Sequence, residues 1–173
     1  MGYFSNLCAA MKMVGEQSNS IFIGQAVACE GTAMFRTLVD VPMKKRLELP
    51  VVEDMQMGMA IGMSFAGHLP VCIYPRFNFL LLAMNQLVLH LDKLRLMGGY
   101  KPRVLVRTAV ATPDPLYPGP QHLGNFTTAL SHMLHTVQIV TLDKAEDIVP
   151  EYNRAMNRDG STLLVELTEK YGE

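Results

Sequence analysis

The chain has 173 residues, 49% of them apolar and 18% charged, with a net charge of -1. That suits one domain with a buried core and excludes a disordered or strongly basic, nucleic-acid-seeking chain. Three separated cysteines, Cys8, Cys29 and Cys72, with no CxxC spacing, argue against a disulfide framework or a zinc site and fit a reducing cytoplasm.

Taken in chain order, the pattern alternates helix and strand. Residues 3–15 read as a helix without the basic start and pure apolar core of a signal peptide, and residues 20–27 (SIFIGQAV) as a strand. A turn-rich loop leads to a helix over 53–66, ended by Gly67. Residues 69–74 (LPVCIY) are a strand, and residues 79–97 one long helix stopped by Gly98-Gly99. Then follow a strand over 103–109, a helix over 123–134, a strand over 136–142, a helix over 144–158 and a strand over 162–167. Strands separated by helices imply βαβ units and a parallel sheet. The Val, Ile and Leu content of the strands suits a sheet covered on both faces. The predicted fold class is therefore α/β, three layers α/β/α around a mostly parallel sheet, in a single domain spanning 1–173.

Two helices are unusual. The 79–97 segment is apolar around most of its circumference, although Asn85, Gln86, His90, Asp92, Lys93 and Arg95 make it a poor membrane span. A surface helix needs one apolar stripe, so this one packs on the sheet and on another subunit, or else is central in a monomer. The helix from Glu53 carries Gly58 and Gly62, each costing about 1 kcal/mol relative to alanine. Either another backbone or a flat ligand comes close there, or the helix packs tightly on its own sheet.

In open parallel sheets, ligands bind beyond the carboxyl ends of the strands. The segments 25–31, 75–79 (PRFNF) and 112–122 (TPDPLYPGPQH) fall there. The prolines of the last make a stiff loop that delivers His122 to the start of a helix. Arg76 either pairs with a carboxylate or phosphate or points into solvent. Phe77 and Phe79 read as core residues. His132 and His135 share a helix face without a third ligand, so no metal site is expected. Glu53 opens a helix of Met, Gly, Ala and Ile. It is either a helix-start residue, welcomed by the helix dipole at about 0.3–1 kcal/mol, or a reagent. No GxGxxG, Walker, GxSxG or HExxH motif occurs.

The ordered motifs IFIGQAVA, VVEDMQMGMAIGMSFAGHLPVCIYPRFNF, LLLAMNQLVLHLDKLRLMGG, RVLVRTAVA, QHLGNF, IVTLDKAED and TLLVEL resemble the pyrimidine-binding domain of thiamine-diphosphate enzymes. The likeness is to the first domain of the beta subunit of pyruvate and branched-chain 2-oxoacid dehydrogenases, with the transketolase central domain a near relative. It spans the chain and is strongest over 51–99. It implies that Glu53 hydrogen-bonds N1′ of the cofactor's aminopyrimidine, sharing a proton with it so that the cofactor's reactive carbon can be deprotonated. It implies that Phe79 stacks on that ring, that Phe77 is structural and that Gln25 is at the cofactor. His122 falls near the substrate, where it orients or protonates intermediates. Arg76 stands where a small or neutral residue is usual, which implies an anionic group on the substrate.

The departures are also informative. Gly24-Gln25-Ala26 stands for a usual GEE and Asn85-Gln86 for Asp-Gln; the lost acids are associated with communication between paired sites. The family's GDG and distant Asn, which hold magnesium and the diphosphate, are missing, as is a C-terminal transketolase-type domain. The resemblance thus implies half of a cofactor site, with thiamine diphosphate shared with, and Mg2+ held by, a diphosphate-binding alpha-like chain, most simply in a cytoplasmic α2β2 heterotetramer. Activity as a decarboxylase or dehydrogenase subunit leads. A split transketolase-like or acyloin-synthase subunit, or a non-catalytic partner of the same fold, are the alternatives.

Overall fold

The structure, a computed structural model, describes residues 2–113 and 117–172. Six strands form one all-parallel sheet in the order β2-β1-β3-β4-β6-β5. They are β1 (Ser20–Gly24), β2 (Arg46–Glu48), β3 (Leu69–Tyr74), β4 (Leu105–Val110), β5 (Gln138–Thr141) and β6 (Thr162–Leu167). The helices are α1 (Tyr3–Glu16), α2 (Ala33–Arg36), α3 (Glu53–Phe65), α4 (Phe77–Leu80), α5 (Leu94–Gly98), α6 (Thr127–Met133) and α7 (Ala145–Asn157).

Two apolar clusters flank the sheet. One gathers Leu7, Met11 and Val14 of α1 and Ile148 and Tyr152 of α7 against Phe22, Val71, Leu105 and Leu164. The other gathers Met57, Ala60 and Ile61 of α3, Leu80, Leu87 and Leu91 of the next helical segment, and Leu130 of α6 against Ile23, Cys72, Val106 and Val165. Alternate strand residues feed opposite clusters, as the strand period requires. This is the expected three-layer α/β/α arrangement. β3 and β6 have the bounds read from the sequence. No helix among the described residues is long and apolar enough to cross a membrane.

Three differences from the sequence reading stand out in the first hundred residues. First, β1 ends at Gly24, before Val27, because the chain turns at Ala26, whose φ is 51°. Second, the turn-rich loop contains the short edge strand β2. Third, the 79–97 helix is broken: α4 passes through a 3-10 turn (Leu81–Ala83) into a wide-turned π stretch (Asn85–Leu91) and then α5. There the Asp92 N–H donates to Leu87 O at 3.0 Å, five residues back. The physical reason for the break is Asp92. It is fully buried, and its Oδ1 accepts the backbone N–H groups of His135, Thr136 and Val137 at 2.8, 2.7 and 3.0 Å. Burial opposes its charge, but Lys93 and those N–H groups outweigh it and hold its carboxyl down at about 2. The segment widens where its carboxylate is committed to the chain entering β5.

The predicted two-sided character of this segment survives the break. Leu80, Ala83, Leu87 and Leu91 are buried, while Leu82, Leu89 and Leu96 are 57–66% exposed. The two glycines of α3 separate. A Cβ on Gly58 would meet the Gln86 side chain at 3.7 Å, which is packing within the layer, whereas a Cβ on Gly62 would meet nothing within 4 Å.

Candidate active site

β1, β3 and β4 are neighbours, so the segments leaving their carboxyl ends meet at one end of the sheet. Gln25 leaves β1, Arg76 to Phe79 leave β3, and the loop to His122 leaves β4. In that loop Asp114, Pro115 and Leu116 lie outside the described residues.

Glu53 is the first residue of α3 and 5% exposed. Its Oε1 accepts the side-chain amide of Gln25 at 3.3 Å. Its backbone is pinned by a buried relay: the Gln56 amide donates to Cys72 Sγ at 3.4 Å, the Cys72 thiol to the Tyr74 hydroxyl at 3.6 Å, and that hydroxyl to Glu53 O at 3.0 Å. Burial pushes the Cys72 thiol up to about 11 and the Tyr74 hydroxyl well above the usual phenol range, so both stay protonated donors. Gln56 also donates to Ile73 O at 2.9 Å, tying α3 to the end of β3. At Gly24 a Cβ would fall 2.5 Å from Ile73 O, so only glycine lets β1 pass β3 on the way to Gln25.

The loop carrying Gln25 is built around Glu48, which the sequence reading assigned no role. Its carboxylate accepts the backbone N–H groups of Ala26, Val27, Ala28 and Cys29 at 2.6, 2.8, 2.7 and 3.3 Å. Burial opposes its charge, but those N–H groups prevail and hold its carboxyl below the usual range. Successive N–H groups converging on an anion form a nest, which is why Ala26 sits at positive φ. Nothing in the RLE of β2 marks this in sequence.

On the other wall, Phe77 is fully buried and meets Phe126 edge-on at 5.5 Å, a structural role as the resemblance implied. Phe79 is half-buried, its ring 5.5 Å from the His122 imidazole at 63°. His122 closes a 3-10 turn (Pro120–His122), and α6 begins only at Thr127. The expected helix start at 123 is delayed: Asn125 Oδ1 accepts the Thr127 N–H at 3.0 Å, an Asx turn that holds the chain out of helix until Thr127. The His122 Nδ1 lies 2.8 Å from Asn78 Oδ1. With an acceptor there, Nδ1 carries the proton and Nε2 presents its lone pair. Asn78 is the second partner the sequence reading passed over; its position between Phe77 and Phe79 was the signal. Arg76 is half-buried at the N-terminus of α4 and makes no ion pair among the described residues. Asn85 is exposed. Among the described residues no group of three or more His, Cys, Asp or Glu side chains is placed to hold a metal ion.

No family model matches the chain. It is similar to the pyruvate dehydrogenase E1 component subunit beta of Caenorhabditis elegans (mitochondrial), 27% identical over 132 residues, which covers 75% of this chain and 37% of that protein. It is similar to the same subunit of Rickettsia felis, 26% identical over 129 residues, covering 75% and 39%. The chain thus spans less than two fifths of the length of these relatives. Its fold matches a split gene transketolase, solved as an inactive beta4 tetramer, with TM-score 0.73, 17% identity, and coverage of 95% of this chain and 51% of that one. It also matches a transketolase from Campylobacter jejuni with TM-score 0.76, 9% identity, and coverage of 95% and 25%. Sequence and fold agree with the resemblance carried by the motifs: the chain is similar to pyruvate dehydrogenase E1 beta subunits over three quarters of its length and has the fold seen in transketolases.

Proposed function

We propose that the chain is the pyrimidine-binding, beta-like subunit of a thiamine-diphosphate-dependent enzyme. Its substrate is a 2-oxoacid or ketose-type carbonyl compound, cleaved or formed at the bond beside the carbonyl. The observation that carries this reading is Glu53: a buried carboxylate at the carboxyl end of a parallel sheet, bonded to Gln25, on the same sheet end as Phe79 and His122. A residue that only started a helix would be solvated.

The residues present fit an aminopyrimidine. Glu53 offers a carboxylate to a ring nitrogen, and Phe79 offers a half-buried aromatic face. Thiamine diphosphate supplies, when bound, a carbon acid whose conjugate base attacks carbonyls. The chain's own residues do the rest. Glu53 holds or releases a proton at N1′, Gln25 orients the carboxylate, and Phe79 excludes water from one ring face. His122, aligned by Asn78, directs Nε2 toward the substrate side. Arg76 supplies a positive charge for an anionic substrate group. The resemblance leaves the diphosphate and Mg2+ to an alpha-like partner chain, in an α2β2 assembly as the simplest closed arrangement.

The exposed apolar side chains Leu82, Leu89 and Leu96, and the open space at Gly62 of α3, support a partner on this layer. The match to a split gene transketolase supports the transferase branch as the second reading.

The test is co-purification with the diphosphate-binding chain, followed by calorimetric titration with thiamine diphosphate and turnover assays on 2-oxoacids and ketose phosphates. Glu53→Gln should assemble normally and lose turnover. Full turnover in that variant overturns the role of Glu53. A mixed complex that binds no thiamine diphosphate overturns the cofactor reading.

A further inference from the structure

A second polar cleft lies toward the amino ends of β5 and β6, at the other end of the sheet from Glu53. It opens between α7 and the edge strand β5, has a volume of about 430 Å³, and is lined by Gln138, Val140, Glu151, Arg154, Arg158 and Thr162. Two polar atoms of its lining are shielded from solvent and have no partner in the protein: Nε of Arg158 and Oγ1 of Thr162. Thr162 is 2% exposed. Buried polar atoms are nearly always hydrogen-bonded in native structures, so two orphans on one cleft point to a bound group.

The surrounding charge gives that group its sign. Arg154 is paired with Glu151, but Arg158 makes no ion pair among the described residues. Arg95 and Lys101 converge on Asp159, and Arg103 donates to Met156 O. This end of the molecule therefore sets Arg95, Lys101, Arg103, Arg154 and Arg158 against Glu151 and Asp159, within a chain whose net charge is -1. Such a local excess concentrates anions. A guanidinium binds two oxygens of an oxyanion side by side. A carboxylate so engaged still has lone pairs for a further donor, but a phosphate adds a third oxygen for the Thr162 hydroxyl and a larger negative charge, which the cationic excess favours.

We propose that this cleft binds a phosphate group through Arg158 and Thr162, with Arg154 as the flanking charge. The group is either free inorganic phosphate or the phosphomonoester of a small molecule.

Calorimetric titration of the full chain with sodium phosphate and with glycerol phosphate tests this, with sodium chloride at matched ionic strength as the control. Saturable binding is expected, with a rise in melting temperature that chloride does not reproduce. Tighter binding of glycerol phosphate assigns the site to a phosphomonoester; equal or weaker binding assigns it to free phosphate. Arg158→Gln and Thr162→Val should each weaken binding about tenfold, the loss of one hydrogen bond to a charged group, and Arg158→Lys should lose less. Thr162→Val keeps the side-chain shape, so it decides the matter if Arg158→Gln is unstable. The absence of saturable binding, an equal effect of chloride, or undiminished binding by Thr162→Val with a normal melting temperature overturns the proposal.

Discussion

The side-chain amide of Gln25 donates to Oε1 of Glu53 across 3.3 Å, and the backbone beyond Gln25 is fixed in turn by Glu48. A carboxylate held from one side keeps its other oxygen for a ligand. Gln25→Leu, which keeps the bulk and removes the donor, should weaken thiamine-diphosphate binding to the assembled complex about tenfold while leaving the melting temperature close to wild type. Gln25→Glu should be worse, because it sets two carboxylates side by side. Titration calorimetry on the purified complexes checks both, and unchanged affinity in Gln25→Leu would remove Gln25 from the site.

Glu48 and Asp92 give the fold a definite acid limit. Both carboxyls sit below their ordinary range because burial, which opposes their charge, is outweighed by backbone N–H groups at Glu48 and by Lys93 together with backbone N–H groups at Asp92. A depressed folded value contributes stability that is complete above the unfolded value and is lost as pH falls through the folded one. For Asp92, moved from 3.8 to about 2, the loss begins near pH 4 and amounts to about 2 kcal/mol. Urea midpoints should therefore be flat from pH 7 to about 5 and fall steeply below about 4. Asp92→Asn and Glu48→Gln should each be less stable than wild type at neutral pH and show a shallower acid fall. An acid fall as steep as wild type in both variants would show that other groups set the limit.

Much of this site was readable because its parts lie in regular elements with strong patterns. LPVCIY is apolar at every position and bounded by Gly67 and Pro75, so β3 and the residues leaving it were placed correctly, and Glu53 opens a helix that ends where Gly67 requires. What was not readable depends on contacts distant in sequence. β2 is three residues, two of them charged, and is a strand only because it lies beside β1. The 79–97 segment offers an unbroken apolar pattern, and its widening follows from Asp92 reaching residues more than 40 positions away. Glu48 lies at a polar position with no motif, and its role comes entirely from the turn it meets; Asn78 is marked only by its place between Phe77 and Phe79, and its partner lies 44 residues on.

Arg107 and Glu166 form an ion pair with both side chains fully buried, one on β4 and one on β6. Tyr152 donates to Glu166 Oε1 at 3.1 Å, and Tyr171, from the 3-10 turn after β6, donates to Oε2. Burial opposes the charge on Arg107, but Glu166 reverses the balance and holds it protonated. Arg107→Met leaves a buried carboxylate without its cation and should destabilise the fold by about 3–5 kcal/mol, whereas Arg107→Met with Glu166→Leu should recover much of that loss. Chemical unfolding of the single and double variants measures the coupling directly. Additive losses would mean that the pair does not act as a unit.

Gly62 distinguishes a face reserved for a partner from one that is merely exposed. It lies inside α3, and a Cβ there would meet nothing within 4 Å. In the isolated chain, Gly62→Ala should raise stability by about 0.5–1 kcal/mol, the ordinary gain of alanine over glycine in a helix. If another backbone seats on this face, the same substitution should weaken assembly with the diphosphate-binding chain, and Gly62→Leu should weaken it more. Sedimentation of the mixed chains gives the second reading and thermal unfolding the first. Improved stability with undiminished assembly would place the interface elsewhere, leaving the exposed Leu82, Leu89 and Leu96 to be tested by Leu89→Gln.

Asn78 fixes which nitrogen of His122 carries the proton. Its Oδ1 lies 2.8 Å from Nδ1, so the proton resides there and Nε2 is free to accept one. Asn78→Ala releases the ring and should lower turnover of the complex with little change in thiamine-diphosphate affinity, because Glu53 and Phe79 are untouched. Asn78→Asp is the more telling change. A carboxylate against Nδ1 stabilises the imidazolium. If His122 acts as a base, the rising limb of the pH–rate profile moves alkaline; if it acts as an acid, the falling limb moves instead. A profile that keeps both limbs while the rate drops uniformly would mean that His122 only shapes the pocket.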